Sequence, residues 1–149
     1  MKRIALLLLA LLCAALPGQA HDKFAVRLGA SVADGRTAGV LEFVVGSGKV
    51  KSRSTVVASR DPAGKITQAF STGAEHDLFS IGRVTFAVSG TAGVAYNPDA
   101  VSGLAQGATT IIIKAWKNLS FVVDGVGTNA PAEGGSWDGQ ARFTAQWEF

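Results

Sequence analysis

One cysteine occurs in 149 residues, Cys13, and it lies in the first hydrophobic stretch. A lone cysteine excludes an internal disulfide framework and any cysteine-based metal cluster, so the fold must be held by packing or by insertion into a membrane. Histidine is as scarce: His21 and His76 are the only two. An excess of charge of one sign is also missing. Once the leader described next is set aside, Lys2 and Arg3 go with it, leaving 12 basic against 11 acidic groups. With a balance so close to neutral, nothing suggests a nucleic-acid partner. The chain has almost no apolar repeat of helical period.

Its single long apolar run is at the start. Lys2 and Arg3 precede Ile4 to Leu16, Pro17 breaks the run, and small residues follow at Gly18 and Ala20. This is the pattern of a secretory signal peptide, residues 1–20, with cleavage after Ala20. The run is too short for a spanning helix. Leu12 precedes Cys13 where a lipid-attachment signal would carry a small residue, so no lipid anchor is expected. The remainder, residues 21–149, fits a single domain.

What fills that domain is alternation of period two. Lys23 to Val32 puts Phe24, Val26, Leu28, Ala30 and Val32 on one side, and Asp34-Gly35 makes a turn. Thr37 to Val45 follows, closed by "GSGK" at 46–49. A third strand spans about Val50 to Ser59, and "RDPAG" at 60–64 is a turn in which Pro62 fixes φ and Gly64 permits a positive one. The fourth strand, Lys65 to Thr72, is expected to end in a charged turn, "TGAEHD", at 72–77. From Leu78 the chain enters a long strand ending at Tyr96. A loop at 97–107 leads to "ATTIIIKAW" at 108–116, a turn at Lys117-Asn118, a strand from Leu119 to Thr128, a loop at 129–139 and a final strand.

Eight strands with short connections after the second, fourth and sixth is how an outer-membrane barrel is laid out. Alternation alone serves a soluble sandwich equally well. Two features favour the barrel: the faces opposite the apolar ones are rich in Gly, Ala, Ser and Thr, as a tightly curled wall needs, and the last strand is apolar up to its final residue.

That last strand, "QARFTAQWEF", resembles the closing strand of bacterial outer-membrane barrels, which end on Phe with alternate apolar residues before it. "KAWKNLSFVV" is similar to the turns of small barrels of the OmpX or OmpA-transmembrane type. The resemblance implies an all-β, eight-stranded antiparallel up-and-down (meander) β-barrel in the outer membrane. It also implies that Phe143, Trp147 and Phe149 form the signal read by the barrel-assembly machinery. The chain departs from the pattern in its few aromatics, 8 % with a single Tyr.

The inward faces would then hold charge. Arg27, Glu42, Arg53, Arg83, Lys114, Asp124, Arg142 and Glu148 are expected in the interior, with Lys23 and Lys51 beside them. Charges buried there must pair and hydrogen-bond. An interlocked polar plug is expected rather than a pore, because eight strands leave room only for side chains or one small ligand.

Other candidates carry less. His21 would be the first residue after cleavage, and an N-terminal histidine can hold copper through its amine and ring. Glu75, His76 and Asp77 together suggest acid–base chemistry at a turn. Barrel enzymes resembling the lipid A deacylases need Ser two residues after His, and Leu78 stands there. "VVGSGKV" fails the phosphate-loop pattern, since no Gly lies five residues before Gly48 and Val50 follows Lys49.

The expectation is therefore a small outer-membrane barrel without catalysis, cofactor or metal, in contact with lipid and with an unidentified extracellular partner through its loops. The alternatives are a periplasmic or secreted β-sandwich whose core contains Phe143, Trp147 and Phe149, and a periplasmic copper binder using His21.

Overall fold

A computed structural model describes residues 23–60, 64–97, 99–129 and 137–149. The expected signal peptide, the absence of a lipid anchor and His21 lie outside them. The described residues form eight strands: β1 (Phe24–Ala33), β2 (Arg36–Val45), β3 (Val50–Arg60), β4 (Ile66–Ile81), β5 (Val84–Asn97), β6 (Ala100–Lys114), β7 (Leu119–Asn129) and β8 (Trp137–Glu148). Each pairs antiparallel with its neighbours in sequence, and β1 pairs with β8, so the sheet closes as an up-and-down barrel. Closure leaves no edge strand to recruit another chain. It also rules out the sandwich.

Turn chemistry explains the hairpins. Asp34 and Gly35 both have positive φ, 47° and 72°, the pairing that suits a two-residue hairpin turn. Gly64 has φ 84°, the positive value expected of the turn after β3. Asn97 caps the β5–β6 turn by accepting hydrogen bonds from the backbone N–H groups of Asp99 (2.9 Å) and Ala100 (2.7 Å).

Three expected connections are strand in whole or in part. The charged turn at 72–77 is the middle of β4, which runs on to Ile81, and the reversal falls at Gly82-Arg83, where Gly82 has φ 60°. A register shift between Asp77 and Phe79 interrupts the alternation there. Residues 100–107, expected in a loop, begin β6, with Gly103 opposite Val94 and Gly107 opposite Gly90. Likewise 137–139 begin β8, opposite 127–129.

The barrel can curl this tightly only where certain inward side chains are absent. A Cβ on Gly29 would lie 1.9 Å from the carbonyl oxygen of Phe143, and one on Gly93 would lie 1.8 Å from that of Phe70. The first is at the β1–β8 pair and the second at β4–β5, across the wall from one another in strand order. Both act as kinks that let adjacent strands press together.

The outer surface is apolar. Leu28, Phe143 and Trp147 are 58 %, 53 % and 42 % exposed, with Val88, Val94, Ile111, Ile113 and Phe121 also outward and exposed. Phe143, Trp147 and Phe149 therefore lie on the outside of the barrel, the opposite of what a sandwich core would require. Aromatic rings gather toward the end that carries both termini: Phe24 packs against Phe43 and Phe149, and Phe79 against Phe86.

Candidate functional site

The inward faces meet in a charged ring to which every strand contributes. Arg27 comes from β1, Glu42 from β2, Arg53 from β3, Glu75 from β4, Ser89 from β5, Thr110 from β6, Asp124 from β7 and Arg142 from β8. The six ionisable members are at most 2 % exposed. Three guanidinium groups face three carboxylates, so the formal charge of the ring is zero.

Arg27 grips Glu75 with both terminal nitrogens, at 2.7 and 2.8 Å, and its Nε donates to Gln146 at 2.7 Å. This is the planar two-point match of guanidinium to carboxylate. Arg53 is the hub. Its Nη2 donates to Glu42 and to Asp124, both at 2.7 Å, and its Nη1 reaches Glu75 at 3.2 Å. Ser89 and Thr110 take further bonds from the same Nη1, and Thr110 donates to Asp124 at 2.5 Å. Arg142 is the loosest member. Its Nη1 stands 3.4 Å from Glu42, and its Nη2 has no hydrogen-bond partner among the described residues.

Aliphatic side chains flank the ring along the barrel axis. One inward position toward the termini lie the buried Ala25, Val44, Ala87, Ile112 and Val122, and one position the other way lie Val40 and Val126. The two alanines fit the small filling expected for the interior, whereas Val40, Val44, Ile112, Val122 and Val126 are larger and less polar than it. Their effect is to keep water off the ring, which makes unpaired charge there costly and paired charge rigid. Further toward the far end comes a neutral polar layer: Ser71 donates to Gln106 (3.0 Å), Gln106 and Gln140 donate to Thr128 (3.1 and 2.8 Å), and Ser31 donates to Gln140 (2.5 Å).

Arg27, Glu42, Arg53, Asp124 and Arg142 of the expected interior set thus come together in one network. Arg83, Lys114 and Glu148 do not join it. Arg83 is exposed in the β4–β5 turn, Lys114 is exposed at the end of β6, and Glu148 is half-buried and accepts from Gln146 at 3.0 Å. All three line a cavity of about 320 Å³ at the terminal mouth, with Lys23, Lys51 and Asp77. Glu75 is the member that reading by turns missed. The signal was present in the charge count, because three inward arginines had only Glu42 and Asp124 to meet at mid-height. It was present also in parity, since Ser71, Gly73 and Glu75 follow one another at intervals of two. Alternation sends Glu75 and Asp77 inward and leaves His76 exposed outside, which dissolves the acid–base cluster. Among the described residues no group of three His, Cys, Asp or Glu is placed to hold a metal ion.

Solved structures with the same closed eight-stranded plan were found by comparison. A major outer membrane protein from Thermus thermophilus superposes with a TM-score of 0.60 over 87 % of this chain and 100 % of that one, at 13 % identity. The fold is that of the small outer-membrane barrels. Neisserial surface protein A matches with a TM-score of 0.58, 85 % of this chain and 94 % of that one, at 6 % identity. A de novo designed transmembrane β-barrel matches at 0.53, covering 86 % and 94 %, at 11 % identity. No protein-family pattern and no characterised protein sequence matches the chain. Identities this low carry the fold and leave the site to be read from its own residues.

Proposed function

We propose that the protein is a non-enzymatic barrel of the outer membrane, with its apolar outer face in lipid and its lumen closed by the charged ring, serving a structural or surface-contact role. The observation that carries this is the ring itself: six paired charges, excluded from water and flanked by aliphatic side chains, stand where a channel would need an aqueous path. In this reading the terminal mouth faces the periplasm. The connections at the opposite end, after β1, β3, β5 and β7, present the contact surface.

Two measurements test it. Membranes washed with urea should retain the protein, and the unheated band should migrate differently from the heated one on a gel. Reconstituted into planar bilayers, it should add no steady conductance; discrete, lasting current steps would show that the lumen is open and the plug reading is wrong.

Assembly supplies a further test. Phe149 donates its N–H to the carbonyl of Phe24 (2.8 Å) and packs its ring 6.1 Å from the Phe24 ring. It thereby fastens the β1–β8 seam, in addition to the proposed role of Phe143, Trp147 and Phe149 in recognition by the assembly machinery. Deleting Phe149 should lower the amount of heat-modifiable protein in cells severalfold while leaving refolding of purified protein in detergent largely intact. Equal loss in both settings would assign Phe149 to stability alone.

A further inference from the structure

The cavity at the terminal mouth holds a concentration of positive charge that the ring does not consume. Five cations line it, Lys23, Arg27, Lys51, Arg83 and Lys114, against two carboxylates, Asp77 and Glu148. Arg27 is occupied by Glu75, and Lys51 by Asp77 at 2.6 Å. Lys23, Arg83 and Lys114 make no ion pair among the described residues, and Glu148 is the one acidic group left to offset them.

We infer that this mouth is a binding site for a small phosphoryl anion. The lining combines what such a group needs: a planar guanidinium able to bind two oxygens, flexible ammonium groups acting as point charges, and low-dielectric walls from Ala25, Val44 and Ile112 that focus the field. The volume, about 320 Å³, is at the lower end of small-molecule pockets and accommodates a phosphate or a phosphate ester. Backbone pairing fixes two of the cations side by side, since the N–H of Lys114 donates to the carbonyl of Arg83 at 2.8 Å. Asp77 contributes at the wall an Oδ1 without a hydrogen-bond partner among the described residues, an acceptor for a hydroxyl of the bound group, while Lys51 offsets its charge. The ring beneath closes the floor, so the site is a cup entered from one side. The anion is either free in the aqueous phase or the headgroup of a lipid, and the chemistry is shared.

The test uses the folded full mature chain in uncharged maltoside micelles, with fold verified by the mobility of the unheated band. Inorganic phosphate should produce saturable shifts in the backbone amide spectrum at Lys23, Gly48, Arg83, Lys114 and Ser120. The variant Lys23→Gln/Arg83→Gln/Lys114→Gln should bind about tenfold more weakly or worse. Lys117→Gln, a turn lysine outside the cavity lining, should bind as the parent does. Doping the micelles with phosphatidylglycerol distinguishes the sources: shifts at the same amides with no added phosphate identify a headgroup site, and their absence identifies a soluble ligand. If the triple variant does not fold, Arg83→Gln alone gives the same reading with a smaller change. Absence of saturable shifts with both probes, or equal shifts in parent and variant, overturns the inference. Because folding is scored separately, failure here leaves the proposed membrane role untouched.

Discussion

Arg53→Met should destabilise the barrel by about 3 to 5 kcal/mol, the usual consequence of removing one partner from a buried ionic network. Arg53 touches all three carboxylates of the ring, at 2.7 Å for Glu42 and Asp124 and 3.2 Å for Glu75. Taking it away leaves Arg27 and Arg142 facing three negative groups in a buried layer flanked by Val44, Ile112, Val122, Val40 and Val126. Urea titration of protein refolded in detergent reads the loss as a lower midpoint. The double variant Arg53→Met/Glu42→Gln restores the balance of two cations against two anions and should recover about half of the lost stability, because the penalty is largely uncompensated charge. An Arg53→Met protein as stable as the parent would mean that water reaches the ring and that the lumen is wet.

Gly93→Val should prevent closure altogether. A Cβ at Gly93 would fall 1.8 Å from the carbonyl oxygen of Phe70, 2.6 Å from the Cα of Ser71 and 2.7 Å from the carbonyl carbon of Phe70. None of those atoms is the tip of a flexible side chain, so the β4–β5 pair has to separate. Separation breaks ladder hydrogen bonds in a closed sheet that has no edge to absorb the change. The built-in control is Gly90→Val on the outer face of the same strand, where an added Cβ meets nothing within 4 Å. Gly90→Val should keep the shifted unheated band, and Gly93→Val should lose it. Identical behaviour of the two would refute tight inward curling at this position.

These two sites show where the sequence was readable and where it was not. The order of strands, their antiparallel meander and the inward placement of Arg27, Glu42, Arg53, Asp124 and Arg142 follow from alternation, because a side-chain period of two leaves each residue only one of two faces. Turn chemistry was equally legible at Asp34-Gly35. Alternation does not say where a strand stops. Glu75, His76 and Asp77 read as a turn on account of their charge, yet a barrel lumen accepts charge on alternate residues as readily as a loop does, provided partners converge from other strands. Those partners, Arg27 and Arg53, lie 48 and 22 residues away in the chain. Gly103 and Gly107 suggested a loop by residue type, whereas they are outward strand positions on β6. The register shift after Asp77 also removed the parity that would have joined Leu78 to Ile81 with β4. Lys114 and Glu148 point to the lumen but at the wrong height, and Arg83 falls in the β4–β5 turn, since periodicity fixes direction around a strand and carries no information on distance from the barrel's end.

Most direct is the question of what the outer face touches. A variant with Trp116, Trp137 and Trp147 changed to Phe and Phe143 changed to Trp carries one fluorophore at an outward position that is 53 % exposed in the parent. Reconstituted in bilayers of lipid brominated along the acyl chain, its emission should be strongly quenched relative to unbrominated lipid. Unchanged emission in brominated bilayers, from a protein that stays soluble and monomeric without detergent, would place that face against something other than acyl chains and contradict the membrane barrel.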